Sequence, residues 1–151
     1  MQKIIAKGIT LGVYIITAKA GGKANGMTAS WVSQVSFSPL MMMVSIGQNK
    51  YTKELIRQSG FFAINVLSTG QTDEARHFGF QSGRKVDKFK DFGYSNAPQG
   101  SPILECAMAY CECELKDVFP AGDHELIVGE VVNAKLTKDM TPLTFVWGDY
   151  F

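Results

Sequence analysis

The chain has 151 residues, 46% of them hydrophobic, and its 15 basic and 14 acidic side chains leave a net charge of +1. Charged residues make up only 19%, below the roughly 25% usual for a globular domain. Ten Phe, five Tyr and two Trp are the reverse of a disordered composition, and the balanced charge gives no basic excess of the kind nucleic-acid binding needs.

The length fits one domain over residues 1–151, large enough to bury about 68–70% of its unfolded surface without staples. The longest apolar run, residues 40–44, is far short of the roughly 20 residues of a membrane-spanning helix. Residues 1–7 lack the apolar block of a signal peptide. An odd set of three Cys points to a reducing compartment, so a cytoplasmic protein with no membrane partner is expected.

In chain order, residues 8–18 read as a strand rich in Ile, Val and Tyr, ended by Gly21-Gly22. Residues 28–37 form a second strand. A third, residues 40–46, is apolar on both faces and so expected to be central. Residues 52–59 read as a short helix with Asn49 or Thr52 as its N-cap, and residues 61–67 as a fourth strand. Thr72 is the expected N-cap of a helix through Phe78, with Asp73 and Glu74 at its positive end. Residues 79–100 are polar and Gly-rich, a long surface loop. Residues 107–118 alternate as a strand with Cys111, Cys113 and Leu115 on one face and Tyr110, Glu112 and Glu114 on the other. A turn at residues 120–124 leads to a long strand, 126–136, and residues 144–147 supply a last short one. Six or more strands with two or three short helices favour a mainly β, closed or half-closed antiparallel barrel.

The segment 25–39, Asn-Gly-Met-Thr-Ala-Ser-Trp-Val-Ser-Gln-Val-Ser-Phe-Ser-Pro, carries the most chemistry. With period two, Thr28, Ser30, Gln34 and Ser36 share one face, while Ala29, Trp31, Val35 and Phe37 share the other and are expected in the core. Uncharged hydroxyls and an amide suit a flat heteroaromatic ligand with carbonyls and ring nitrogens; the spacing alone fits a half-exposed strand facing water equally. Residues 47–52, Gly-Gln-Asn-Lys-Tyr-Thr, form a strand-to-helix turn whose free N–H groups and Lys50 could hold a phosphate, or simply start a capped helix.

Taken together, these segments resemble the flavin reductase-like family of FMN-binding split barrels. Further matches are Phe61-Phe62-Ala63-Ile64-Asn65-Val66-Leu67, Ser101-Pro102-Ile103, and Gly122-Asp123-His124 followed by Gly129-Glu130-Val131, so that the resemblance runs over residues 3–150. Ser30-Trp31-Val32-Ser33-Gln34 is similar to the flavin module of some flavodiiron proteins. Phe78–Arg84 with Asp87-Lys88-Phe89 is similar to the module joined to rubredoxin in rubredoxin reductases.

The resemblance implies an antiparallel Greek-key split barrel binding FMN in preference to FAD at a homodimer interface. Thr28, Ala29, Ser30 and Trp31 would line the isoalloxazine and ribityl chain, and Ser36 and Phe37 the pyrimidine side. Asn49, Lys50 and Thr52 would hold the phosphate, with Phe80 and Arg84 as further neighbours of the cofactor. His124, the candidate catalytic residue, would sit at the open face where a nicotinamide stacks. The implied activity passes electrons from NADH or NADPH through the flavin to free flavin, ferric iron or a small redox protein such as rubredoxin. The rival readings are a flavoredoxin-like electron carrier without nicotinamide activity, and a related barrel holding haem or a pyridoxal-type phosphate.

Other signals carry less. Cys106, Cys111 and Cys113 have no zinc-site spacing and read as core thiols, so no metal is expected. No G-x-G-x-x-G follows a strand. Met41-Met42-Met43 reads as adaptable core, and the cluster Arg84-Lys85 with Lys88-Phe89-Lys90 as a solvated basic face able to meet an acidic redox partner or a phosphate.

Overall fold

The computed structural model describes residues 1–151. Its elements in chain order begin with α1 (Gln2–Gly8), β1 (Tyr14–Ala20), β2 (Lys23–Ala29), β3 (Val32–Phe37) and β4 (Leu40–Gly47). There follow α2 (Tyr51–Ser59), β5 (Phe61–Val66), α3 (Thr72–Gly79), β6 (Tyr94–Asn96), β7 (Pro102–Leu104), β8 (Ala109–Ala121) and β9 (His124–Leu136), before a short 3₁₀ turn at Trp147–Asp149. Seven strands form one antiparallel sheet in the order β2-β1-β5-β8-β9-β4-β3, and β6 pairs with β7 in a separate ribbon.

That order forces the sheet to close. β2 and β3 lie at its opposite edges, yet only Ser30 and Trp31 separate them in the chain. Flat, the edges would lie six strand spacings, about 29 Å, apart; three peptide steps reach about 11 Å at most. The sheet therefore rolls up until its edges meet, a barrel split where β2 and β3 fail to pair. Ser45 N donates to Trp31 O at 2.9 Å across this corner.

Two apolar clusters result. Inside the barrel, Ile16, Val44, Ile46, Phe62, Ile64, Cys113 and Ile127 pack around Leu55 and Ile56 of α2. Outside, Ile15, Leu67 and Leu104 pack against Ala75 and Phe78 of α3. Burying Leu55 and Ile56 contributes about 1.5–3 kcal/mol each. The Lys53 and Arg57 ion pairs to Glu125 of β9, at 3.0 and 2.6 Å, add little where solvent reaches them. Apolar packing thus seats α2.

Several expectations shift. The strand expected over residues 8–18 starts only at Tyr14, because residues 2–8 form α1. The strand expected over 28–37 is two strands, the first beginning at Lys23 after the turn through Gly21 and Gly22, whose φ of +57° and +75° give the left-handed pair a two-residue hairpin favours. A bulge at Val35 shifts the β3–β4 register. The break at Ser30-Trp31 and this bulge reset the alternation, so Ala29 is buried but Trp31, Val35 and Phe37 are exposed rather than in the core. β4 is not doubly covered; β1 and β5 are, and in β1 the consecutive Ile15 and Ile16 are both fully buried, one toward α3 and one toward the interior. Gln71, not Thr72, occupies the N-cap of α3, and its Oε1 accepts from Ser68 N. Residues 144–147 form only a single bridge, Gly12 to Thr144.

Asn65, in the Phe-Phe-Ala-Ile-Asn-Val-Leu segment, is fully buried. Its amide donates to Ile15 O and Thr17 Oγ1 and its oxygen accepts from Leu104 N, at 2.9–3.1 Å. It joins β5, β1 and β7 through one side chain. Asn65→Leu should lower unfolding free energy by about 2–4 kcal/mol, since three buried polar groups lose their partner; urea denaturation with an unchanged midpoint would show this bonding to be unimportant.

Candidate functional site

A cleft of about 320 Å³ lies along β2, an edge strand of the sheet, within the roughly 300–1,000 Å³ range of small-molecule sites. β2 contributes Asn25, Met27 and Thr28; the turn into α2 contributes Asn49 to Thr52; the end of α3 and the segment after it contribute Phe78 to Gly83; and Lys88 completes the wall. No carboxylate lines it, whereas two lysines do.

The α2 terminus opens on this cleft. Lys50 holds the cap position in extended conformation, and no side chain caps the helix, in contrast to the expected capping by Asn49 or Thr52. The first-turn N–H groups are left for an anion, aided by the helix dipole. The fully buried Thr52 hydroxyl instead accepts from Asn25 Nδ2 at 3.0 Å, tying helix to strand at the back of the cleft. Thr28 Oγ1 donates to Ala75 O at 2.6 Å, so toward a ligand it offers lone pairs only. Gly79 lies where a Cβ would sit 3.2 Å from Thr28 Cβ, and Gly83 where one would collide with the Asn25 amide.

Lys88 is 4% exposed. Its ammonium donates to Gly26 O of β2 and Phe78 O near the C-terminus of α3, each at 2.8 Å, and burial, with Lys50 facing it, pushes the amine down to about 8. It is thus no part of a solvated basic face, although its neighbours Lys85 and Lys90 are exposed.

A second, smaller pocket of about 180 Å³ adjoins the cleft through Thr28, Gly79 and Phe80, and adds Ala29, Ser30 and Tyr150. On the other side, a Cβ at Gly47 would lie 3.6 Å from Lys50 Cε and 3.9 Å from His124 Nε2, placing His124 beside the phosphate-type corner. The turn that delivers it has Gly122 at φ +62°. His124 Nδ1 bonds Asp123 Oδ1 at 2.6 Å, which holds that carboxyl below its ordinary range, and its ring lies 4.9 Å from the half-exposed Trp31.

Of the residues singled out in the sequence, Thr28, Asn49, Lys50, Thr52 and Phe80 therefore share the cleft, Ala29 and Ser30 its side pocket, and Trp31 and His124 one flank. The rest lie elsewhere in this chain. Ser36 and Phe37 lie at the β3–β4 turn, Phe37 being 90% exposed. The Arg84 guanidinium forms a two-pronged pair with Glu54 and lies 5.0 Å from the Tyr51 ring centre, lining a separate groove and holding the Glu54 carboxyl below its usual range. Sequence reading did not single out Asn25 or Tyr51, and took Lys88 only as one member of a basic cluster able to meet a phosphate. The Asp87-Lys88-Phe89 triplet was visible, but nothing in a run of exposed lysines marks the buried one.

A model of the flavin reductase like domain matches residues 6–151. The chain belongs to the flavin reductase-like domain family. It is 36% identical to the high molecular weight rubredoxin of Moorella thermoacetica over 141 residues, 92% of this chain and 62% of that protein. It thus spans less than two thirds of this curated relative, and only 24% of the Synechocystis diflavin flavoprotein A 1, with which it shares 34% identity over 91% of its own length. Among solved structures it is similar to the Methanosarcina acetivorans flavoredoxin (TM-score 0.85, 28% identity, 93% of this chain and 82% of that one). It is also similar to the Streptomyces globisporus NADH:FAD oxidoreductase SgcE6 solved with NAD and FAD fragments (TM-score 0.83, 29% identity, 91% and 81%).

Membership makes this a flavin-binding oxidoreductase domain with the split-barrel fold. The donor set fits a flavin nucleotide: neutral hydrogen-bonding groups along β2, an uncapped helix start, two cations and no opposing carboxylate. No helix is long and apolar enough to cross a membrane. Gly83→Ala should destabilise the fold by about 1–3 kcal/mol, because its methyl group must displace the buried Asn25 amide; a thermal midpoint equal to wild type would show that the Gly83 segment yields instead.

Proposed function

We propose that the chain is an FMN-binding oxidoreductase that takes electrons from NADH or NADPH and passes them to free flavin, ferric iron or a small redox protein such as rubredoxin. The observation that carries this reading is the cleft whose only formal charges are two lysines beside an uncapped helix N-terminus. It suits a ligand with a terminal phosphate and an uncharged polar body.

A bound flavin supplies hydride and single-electron chemistry that no side chain possesses. The protein's task is to bind and orient. Lys50 and the first-turn N–H groups of α2 hold the phosphate, with Asn49 at the same corner. Thr52, anchored by Asn25, keeps the helix start in place. Backbone and hydroxyl groups from Thr28 to Ser30, with Phe80, line the ring and ribityl chain. His124 and Trp31 flank the open side, where His124, oriented by Asp123, positions the nicotinamide.

A homodimer completes the reading. Trp31, just before β3, and Val35, Phe37 and Leu40 on the β3–β4 hairpin are exposed apolar side chains, too many to leave in water on so small a stretch, and Ser36 and Phe37 would reach the flavin of a second copy. Sedimentation at micromolar concentration should give twice the chain mass, and a monomer would remove the partner's contribution.

The likeness to a flavoredoxin favours one alternative, an electron carrier fed by another protein. NADH and NADPH oxidation by the FMN-loaded chain, with and without an added acceptor, separates the two, and steady turnover supports the reductase. An absorption spectrum after extensive dialysis tests flavin identity and retention; a Soret band would sink both. His124→Ala should slow reduction by nicotinamide about tenfold or more while leaving FMN bound, as expected when positioning is lost; stopped-flow reduction at the wild-type rate would refute the role of His124.

A further inference from the structure

α1 is amphipathic, yet it sits the wrong way round for a helix that only stabilises the fold. By their spacing Met1, at its start, Ile4 and Ile5 share one side, and Lys3, Ala6 and Lys7 the other. The lysine side lies against the protein, where it lines a groove of about 560 Å³ between α1 and residues 144–151. Ile4 and Ile5 are left 74% and 58% exposed, and the exposed Ile9, Val146 and Phe151 continue the apolar surface along the groove. A helix of a globular domain ordinarily buries its apolar stripe; this one buries none of its residues.

Position and charge say what covers this face. The groove shares Phe145 and Phe151 with the side pocket of Ala29, Ser30 and Phe80, the ring end of the flavin reading above. Phe145 stacks on Tyr150 at 5.2 Å and Phe151 lies 4.8 Å from Trp147, so one layer of aromatic side chains separates the groove from the ring pocket. Lys3 and Lys7 line the groove and no Asp or Glu does. An apolar surface with a basic rim complements a partner whose own apolar patch is edged by carboxylates. The other basic groove, with Arg84, Lys85 and Lys90, meets the cleft only at Tyr51 and Gly83, at the phosphate-type corner and away from the ring.

We infer that the face made by α1 and residues 144–151 docks a small acidic one-electron carrier, an iron protein of the rubredoxin kind, that takes the electrons of the flavin. The inference rests on the flavin reading and adds where its protein acceptor binds. Each reduced flavin gives one electron to each of two partner molecules, whose iron passes from ferric to ferrous, and its protons go to water.

Stopped-flow mixing of the reduced, FMN-loaded chain with oxidised rubredoxin tests this, with reoxidation by dioxygen as the reaction of a neutral acceptor that needs no docking face. The second-order rate with rubredoxin should fall at least about tenfold as salt screens the charges. It should fall about tenfold in Lys3→Glu/Lys7→Glu, because reversing rim charges slows steered association, while the dioxygen rate stays within about twofold. Ile4→Ser/Ile5→Ser should raise the half-saturating rubredoxin concentration about tenfold through lost apolar burial. All four positions are exposed, so the fold carries over to both variants. Wild-type behaviour of both variants, or slowing by Lys85→Glu/Lys90→Glu in their place, overturns the inference. Sedimentation at half the wild-type mass for Ile4→Ser/Ile5→Ser overturns it too, giving the face to a second copy. A chain that dioxygen reoxidises but that never reduces rubredoxin overturns it and leaves the flavin reading intact; a chain that binds no flavin removes both.

Discussion

The two-residue link between β2 and β3 is the constraint from which the rest of the molecule follows. Ser30 and Trp31 must join the opposite edges of a seven-stranded sheet, and no flat sheet allows it. Closure creates an interior that needs filling, and α2 enters it with Leu55 and Ile56. Once those two side chains are buried, the start of α2 can only lie beside β2, where Asn25 meets Thr52. The same corner brings Trp31 against His124. The cleft is therefore a by-product of closing the barrel, built from groups whose positions are set by apolar packing at a distance from it.

The electrostatics of the cleft run against local stability. The helix start that opens on it has no side-chain cap, and an Asn or Ser at that position is typically worth about 1 kcal/mol. Lys88 is buried with a depressed basicity, its charge offset only by two carbonyls, one of them near the negative end of α3. Such departures from the best local choice concentrate where a ligand is to be bound, because groups already satisfied by the protein have nothing left to offer. By contrast, Glu112, equally buried, accepts from Gln99 N, Ser101 N and Asn133 Nδ2 and is fully committed to holding the 97–101 turn.

Much of the fold was legible in the chain. The strand over residues 61–67 and the α2 helix were placed almost to the residue, since each combines a periodic apolar pattern with a Gly or polar boundary. The long strands after Ala107 and His124 were equally clear. The segment 28–37 misled because alternation was read across a corner and a bulge, neither of which leaves a mark in a row of Ser, Val and Thr; each inverts the faces that follow. α1 buries none of its residues, so no apolar stripe announced it.

Within the site, residues 28–30 and 49–52 stood out because their types and their neighbours in the chain already state the chemistry. Arg84 and Lys88 could not be sorted the same way. Both are cations on one loop, yet Glu54, thirty residues earlier, draws Arg84 outward, while Gly26 and Phe78 draw Lys88 inward. The sequence by itself determined most of the strands, the family and the polar segment that lines the cleft, because these depend on local patterning. Only the tertiary structure decided which cation faces the cleft, since that choice is made by carbonyls and carboxylates distant in the chain, and their positions exist only once the barrel has closed.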